Sequence, residues 1–101
     1  MYDLVIIDEA SVVVNLMTIW NNAIRPTLAD RRGRAIFAGT PRNRDAFWHL
    51  YRLGLDPAQT EWASFTASQA DNPFIPPEET EAQRLSMPDL IFRREILGEF
   101  V

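Results

Sequence analysis

The sequence has 101 residues, 14 acidic against 10 basic, and a net charge of −4, which suits one small domain or part of a larger one. All ten basic residues are arginine, and the sequence contains neither lysine nor cysteine. Disulfide frameworks, cysteine zinc sites and the phosphate-binding lysine of a P-loop are therefore excluded within these residues. The single histidine, His49, also excludes a multi-histidine metal site.

The composition is that of a folded globular chain, with 47% hydrophobic and 24% charged residues. No apolar run approaches the ~20 residues that span a bilayer. The N-terminus lacks the basic segment of a signal peptide. We therefore expect no membrane partner and a cytoplasmic location.

The first part of the chain predicts two strands separated by a helix. Leu4–Ile7 is a short β-branched apolar run, typical of a parallel strand buried on both faces. Apolar residues then recur at helical spacing over residues 13–24, and Pro26 should end this helix because it disfavours helical geometry in the residue before it. Ala35–Ala38 predicts the second strand.

The next part predicts a helix and a third strand. Phe47, Leu50 and Tyr51 share a helical face, and Gly54 suits the left-handed position that closes a helix. Thr60–Thr66 alternates in part and predicts a third strand.

The last part predicts two helices. Pro77 and the two glutamates after it are typical of a helix start. Ser86–Asp89 has the spacing of a capping box for a final helix over residues 90–97, ended by Gly98. The strand–helix–strand–helix order predicts an α/β fold with a parallel sheet.

Polar side chains follow both predicted strands, where α/β sheets bind ligands. Asp8 and Glu9 end the first strand, in the pattern of a Walker B strand, and Gly39 and Thr40 end the second. One carboxylate can hold hydrated Mg²⁺ while the second orients and deprotonates the water that attacks a γ-phosphate. Alternatively, the carboxylates and Ser11 only cap and charge the next helix, and Thr40 is an ordinary turn residue.

Arginines are concentrated in residues 25–44, which hold six of them against one acid. This segment faces nucleotide phosphates, DNA or an acidic neighbour, or it is simply a solvated loop. Arg42 and Arg44, just beyond the second strand, are candidates for a phosphate contact because guanidinium groups match phosphate oxygens, with surface charge as the alternative.

Several segments occur in a specific order along the chain. They are Leu4–Ala10, Trp20, Ile24–Pro26, Gly33–Arg34, Ile36–Pro41, Phe47–Tyr51, Asn72–Ile75, Pro77–Glu79 and Phe92–Phe100. In this order and spacing the chain resembles the large terminase subunit of tailed bacteriophages, the ATP-driven motor that packages viral DNA.

The resemblance implies a fold, a site and partners. The fold would be a partial P-loop NTPase of the additional-strand ATPase type, a parallel sheet with flanking helices. Asp8 would bind Mg²⁺, Glu9 would be the catalytic glutamate, and Ala38, Gly39 and Thr40 would form the coupling motif. Gly39 and Thr40 would also contact the nucleotide, with Thr40 as the polar and catalytic member, and ATP and Mg²⁺ would be the cofactors. Partners would be the remainder of the large subunit, the small terminase subunit, the portal and double-stranded DNA, in the host cytoplasm at the procapsid portal.

The chain departs from the family because it has no P-loop and no nuclease segment. The resemblance therefore implies the C-terminal half of the ATPase domain, inactive alone. Residues 1–54 would form the Walker B and coupling unit, and residues 55–101 the third strand and the closing helices. Two alternatives remain open: a non-catalytic remnant that binds a partner, and a fragment of another helicase-like P-loop ATPase.

Overall fold

The computed structural model describes residues 2–101. Strands β1 (Leu4–Ile7) and β2 (Arg34–Phe37) form a parallel two-stranded sheet. The helices are α1 (Leu16–Ile19), α2 (Arg25–Ala29), α3 (Ala46–Leu53), α4 (Pro77–Ser86) and α5 (Asp89–Glu95), with a π-helical turn over Trp20–Ile24 and 3-10 turns over Ala10–Val12 and Gln69–Asp71. The predicted α/β class with a parallel sheet is confirmed. No helix in this part of the chain has the length and apolar character needed to cross a membrane.

One face of the sheet is covered and the other is open. Alternate residues of both strands, Val5, Ile7, Ala35 and Phe37, pack against the core. On the opposite face Leu4, Ile6 and Ile36 are 45%, 62% and 50% exposed; we call these three residues the open sheet face. The prediction that the first strand is buried on both faces is therefore wrong for residues 2–101, because nothing among them covers this face.

The core lies between the covered sheet face and the helices. Its buried residues are Ala10, Leu16, Trp20, Leu28 and Leu50. The Trp20 ring meets Phe37 and Trp62 edge-on, with centroids 5.2 Å and 5.8 Å away. Such aromatic contacts add to the area-dependent gain from removing these large side chains from water.

The helical segment between the strands does not end at Pro26, so that prediction is wrong. The π-helical turn runs directly into α2, in which Pro26 is the second residue. Arg25 N–H donates to the carbonyl of Trp20, five residues back. A proline lacks an N–H and its ring crowds the carbonyl four residues earlier, and the wider π turn accommodates both effects.

The predicted third strand over Thr60–Thr66 is also wrong. Residues 62–68 have no regular structure and pair with no strand of the described chain. The alternation has another cause, because Trp62 packs on the core while Phe65 is exposed. Ser64 Oγ donates to the carbonyl of Tyr51 at 2.7 Å, which fixes the segment against α3.

The same contact changes the interpretation of Gly54. Its φ is −72°, in the right-handed region, so the predicted left-handed conformation is wrong. A Cβ at this position would lie 2.5 Å from the backbone nitrogen of Ser64. Glycine is therefore required by the close approach of two backbone segments rather than by its own dihedral angles.

The last two helices form largely as predicted. Helix α4 begins at Pro77 with acidic residues in its first turn. The predicted capping box is wrong, because Ser86 Oγ donates back to the carbonyl of Gln83 at 3.2 Å, and Pro88 precedes α5 without a side-chain cap. Helix α5 ends at Glu95, two residues earlier than predicted. Gly98 follows with a left-handed φ of 69°.

The C-terminal residues return to α3. Phe100 packs on Phe47 and Tyr51, with ring centroids 5.7 Å and 5.1 Å away. The molecule is elongated, with extents of 49 × 26 × 25 Å.

Replacing Leu50 by Ala should lower the free energy of unfolding by about 2–5 kcal/mol, because the truncated side chain leaves a cavity. Leu50 is 3% exposed in the core, whereas Leu85 on α4 is 77% exposed. The matched change Leu85→Ala should stay within about 0.5 kcal/mol. Urea unfolding followed by circular dichroism measures both, and equal losses would contradict the assigned core.

Candidate functional site

Two hydrogen bonds join the ends of the strands. Ala38 N–H donates to the carbonyl of Ile7 at 3.0 Å, and Ala10 N–H donates to the carbonyl of Ala38 at 2.8 Å. The turn that carries Asp8 and Glu9 is thereby fixed beside the segment that carries Gly39 and Thr40. The four residues singled out from the sequence therefore lie on two adjoining segments at one edge of the sheet.

The backbone changes direction at Glu9. This residue is left-handed, with φ 51° and ψ 43°. Its N–H donates to Oδ1 of Asp8 at 2.9 Å. Neighbouring side chains on a strand point to opposite faces, and the left-handed residue ends that alternation immediately after Asp8. A non-glycine residue held in this region stores strain of the kind that clusters at functional sites.

The carboxylates do not act as caps. Glu9 occupies the N-cap position of the 3-10 turn over Ala10–Val12, but its side chain makes no cap hydrogen bond. Helix α1 follows Asn15 and also has no side-chain cap. The capping alternative for these acidic residues therefore has no support in the geometry of the described chain.

Gly39 allows the second segment to approach closely. A Cβ on Gly39 would lie 3.2 Å from the nitrogen of Ala10 and 3.3 Å from Oγ of Ser11. Any larger residue would push against the turn that holds Glu9. Thr40 follows and is half-buried, and Pro41 restricts its backbone to extended geometry.

Ser11 is the residue whose environment the sequence did not indicate. Its hydroxyl is shielded from solvent and has no hydrogen-bond partner within residues 2–101. It lines a hollow of about 320 Å³ that also includes Asp45, whose Oδ1 is likewise shielded and unpaired. Serine two positions after an Asp-Glu pair was the only signal, and it suits a turn equally well.

Asp8 fits a hydrated magnesium ion. It is exposed, and within the described chain its carboxylate accepts only the N–H of Glu9. No group of three or more acidic or histidine side chains in residues 2–101 could enclose a metal. Mg²⁺ keeps several waters and commonly takes one or two carboxylates together with substrate phosphates, so a single free carboxylate at a strand end matches its needs.

No ion pair joins the arginines beyond the second strand to these residues within the described chain. Arg42 and Arg44 are exposed, and neither forms an ion pair in the part of the chain described. Arg44 lies instead over the ring of Trp48, with Cζ 5.6 Å from the centroid.

Known proteins resemble this chain in sequence and in fold. It is 32% identical to the large terminase subunit of Thermus virus P23-45 and 30% identical to that of Escherichia phage T5, each over 98% of this chain. The solved ATPase domain of the Thermus phage P74-26 large terminase superimposes with a TM-score of 0.80 and 32% identity over 98% of this chain. No protein-family model matches.

The matches confirm the resemblance drawn from the sequence, and they cover part of each relative. The chain spans 23% of the length of the two phage subunits and 44% of the solved ATPase domain.

Replacing Glu9 by glycine should raise the free energy of unfolding by up to about 1 kcal/mol, because glycine tolerates the left-handed conformation that strains glutamate. Glu9→Gln keeps the Cβ and should leave stability nearly unchanged. Glu78→Gly, in the regular first turn of α4, should instead lose roughly 0.5–1 kcal/mol. Chemical denaturation distinguishes the three variants, and a glycine variant no more stable than the glutamine variant would remove the strain argument.

Proposed function

We propose that this chain, which is related in sequence and fold to part of the ATPase domain of phage large terminase subunits, contributes the carboxylates and the coupling motif of an ATP-hydrolysing DNA-packaging motor. One observation carries the proposal. The turn with Asp8 and Glu9 is hydrogen-bonded directly to the segment that leads into Gly39 and Thr40.

The carboxylates of Asp8 and Glu9 have different roles in this proposal. One oxygen of the Asp8 carboxylate accepts the N–H of Glu9, and the remaining lone pairs of the carboxylate would hold Mg²⁺. When bound, Mg²⁺ neutralises charge on the phosphates of ATP. Glu9 orients the attacking water and accepts its proton, a role that requires an ionised carboxylate free of other partners. Glu9 is exposed and forms no ion pair within residues 2–101.

Thr40 links this chemistry to movement. Ala38 accepts the N–H of Ala10, so a shift of the turn at Glu9 displaces the end of β2. Gly39 transmits the shift through its close approach to Ser11, and Thr40 and the loop into α3 follow. We assign Thr40 to sensing the state of the phosphates at this junction, in keeping with the coupling motif.

The rest of the active site comes from residues outside these 101. The sequence has no lysine to bind the phosphates, and the open sheet face lacks a covering layer in the described chain. In this proposal residues 1–101 are one partial domain, with the Walker B and coupling unit in 1–54 and the closing helices in 55–101. Its partners are the remainder of the large subunit, the small terminase subunit, the portal and double-stranded DNA, in the host cytoplasm at the procapsid portal.

Of the two alternatives, the helicase-like ATPase has less support than the non-catalytic remnant. A helicase-like ATPase that shares only strand-end motifs would not be expected to match over 98% of the chain, including the closing helices. A non-catalytic remnant would retain the same fold, and only activity distinguishes it.

The pure chain should show no ATP turnover, and mixing it with a polypeptide equivalent to the rest of a terminase ATPase domain should restore it. Glu9→Gln should then lower turnover by about 10²–10⁴-fold, the usual contribution of a general base. Asp8→Asn should raise the Mg²⁺ concentration needed for half-maximal rate. A phosphate-release assay measures both effects.

Glu78→Gln serves as the matched control, because Glu78 is an exposed glutamate on α4, outside the site. It should leave turnover unchanged. Turnover by the pure chain that Glu9→Gln abolishes would show that no second polypeptide is needed. Restored turnover that survives Glu9→Gln would overturn the catalytic assignment, and folded but permanently inactive mixtures would favour the remnant.

The open sheet face should be where the remaining polypeptide packs. Ile6→Thr and Ile36→Thr together keep β-branched residues on the strands but remove apolar surface, so they should weaken association without unfolding the chain. Val14→Thr makes a similar change at an exposed residue away from the sheet and should have no effect. Isothermal titration calorimetry with the complementary polypeptide measures the difference, and equal affinities would place the contact elsewhere.

A further inference from the structure

Two arginines are held over one tryptophan on α3. The guanidinium carbon of Arg52 lies 4.9 Å from the ring centroid of Trp48, and that of Arg44 lies 5.6 Å away. Trp48 is half-buried, whereas both arginines are exposed. Cation–π attraction at these distances restricts two otherwise flexible side chains and keeps their charges close to one another.

A third arginine is brought to the same place from α5. Arg94 Nη2 donates to Oδ1 of Asn43 at 3.2 Å, and its Nε is shielded without a partner within the described chain. Asn43 lies between Arg42 and Arg44 in sequence. We call Arg44, Arg52 and Arg94 the arginine cluster.

The positive charge of the cluster is not neutralised within residues 2–101. Arg31, Arg84 and Arg93 have carboxylate partners, but no member of the cluster forms an ion pair in this part of the chain. The acids closest in sequence are Asp45, Asp56 and Glu95, and none of them forms an ion pair in this part of the chain. Asp45 has a shielded Oδ1, and Asp56 Oδ1 accepts the N–H of Ala58 at 2.9 Å.

We propose that the arginine cluster binds the phosphate backbone of duplex DNA, an inference that rests on the proposed packaging function and names the surface that would contact the DNA. Guanidinium groups donate hydrogen bonds in a fork that matches phosphate oxygens. A duplex presents one negative charge per roughly 1.7 Å of its axis, so it can satisfy several arginines at once.

The cluster suits DNA better than an acidic protein. A duplex offers regularly spaced phosphate oxygens that can accept hydrogen bonds from several of these guanidinium groups at once, whereas a protein partner would need several carboxylates placed at the same spacing. Two cations already engage the Trp48 ring, which makes it a positioning residue for them. Contacts between guanidinium groups and phosphates carry no base-sequence information, so this binding should not depend on the sequence of the DNA.

The test uses the whole chain and a fluorescent duplex of arbitrary sequence, with affinity measured by anisotropy over a series of low salt concentrations. The double variant R44Q/R52Q should reduce the slope of log affinity against log salt by about two, because each phosphate contact contributes about one. It should also weaken binding to duplexes of different sequence by the same factor.

The control variant R84Q/R93Q has the same change in net charge. Arg84 and Arg93 are exposed, and hydrogen bonds to Glu81 and Glu99 respectively raise the pKa of each guanidinium, so their charges are already engaged. Affinity and salt slope should stay at the unmodified values. Trp48→Phe, which retains a weaker aromatic face, should lower affinity while circular dichroism stays native.

Each other outcome overturns the proposal. Equal losses in the two double variants would mean that only net charge matters, and no binding at the lowest salt would remove the site. Tripolyphosphate that binds with the same arginine dependence while the duplex does not would make it a small-phosphate site. Polyglutamate that binds as tightly, with the same dependence, would indicate an acidic protein partner. The DNA-binding assay contains no ATP, so a negative result in it does not affect the hydrolysis proposal.

Discussion

The parallel pairing of β1 and β2 is the constraint on which the rest of the molecule depends. Its register places Ile7 opposite Phe37, so both strands end at the same level. The next two hydrogen bonds, through Ala38, then close the ladder onto the turn after β1. A slip of one residue would exchange the covered and open faces of the slipped strand, and would separate the carboxylates from Gly39 and Thr40. The candidate site is thus a consequence of strand register.

The covered face of the sheet explains the helical and irregular segments around it. Trp20, Phe37 and Trp62 meet as one aromatic group, although they come from a π-helical turn, a strand and an irregular segment. Burying these three rings together stabilises the backbone conformations that allow them to meet, even where those conformations are not regular helix or strand. The π turn retains Trp20 in the core while the helix continues past Pro26, and the segment at Trp62 follows the core instead of a strand edge.

Features encoded by neighbouring residues could be predicted from the sequence, and features that depend on distant contacts could not. The strand at Leu4–Ile7 and the proline start of α4 carry their own local signal, and both were predicted. The alternation around Trp62 has the period of a strand, but its cause is a contact with the core. Likewise, an apolar run cannot reveal that one of its faces stays uncovered, and sequence spacing could not bring Arg94 to Asn43.

Helix α4 has a thermodynamic consequence of its own. It contains no buried residue, and its side-chain contacts with the preceding segment run mainly through hydrogen bonds from Gln69 to Thr80 and Gln83. Opening this helix exposes little apolar surface, so it costs far less free energy than unfolding the core. Backbone amides of α4 should therefore exchange with solvent through local opening more readily than the amides that pair β1 with β2. Local stability is therefore expected to differ between α4 and the core.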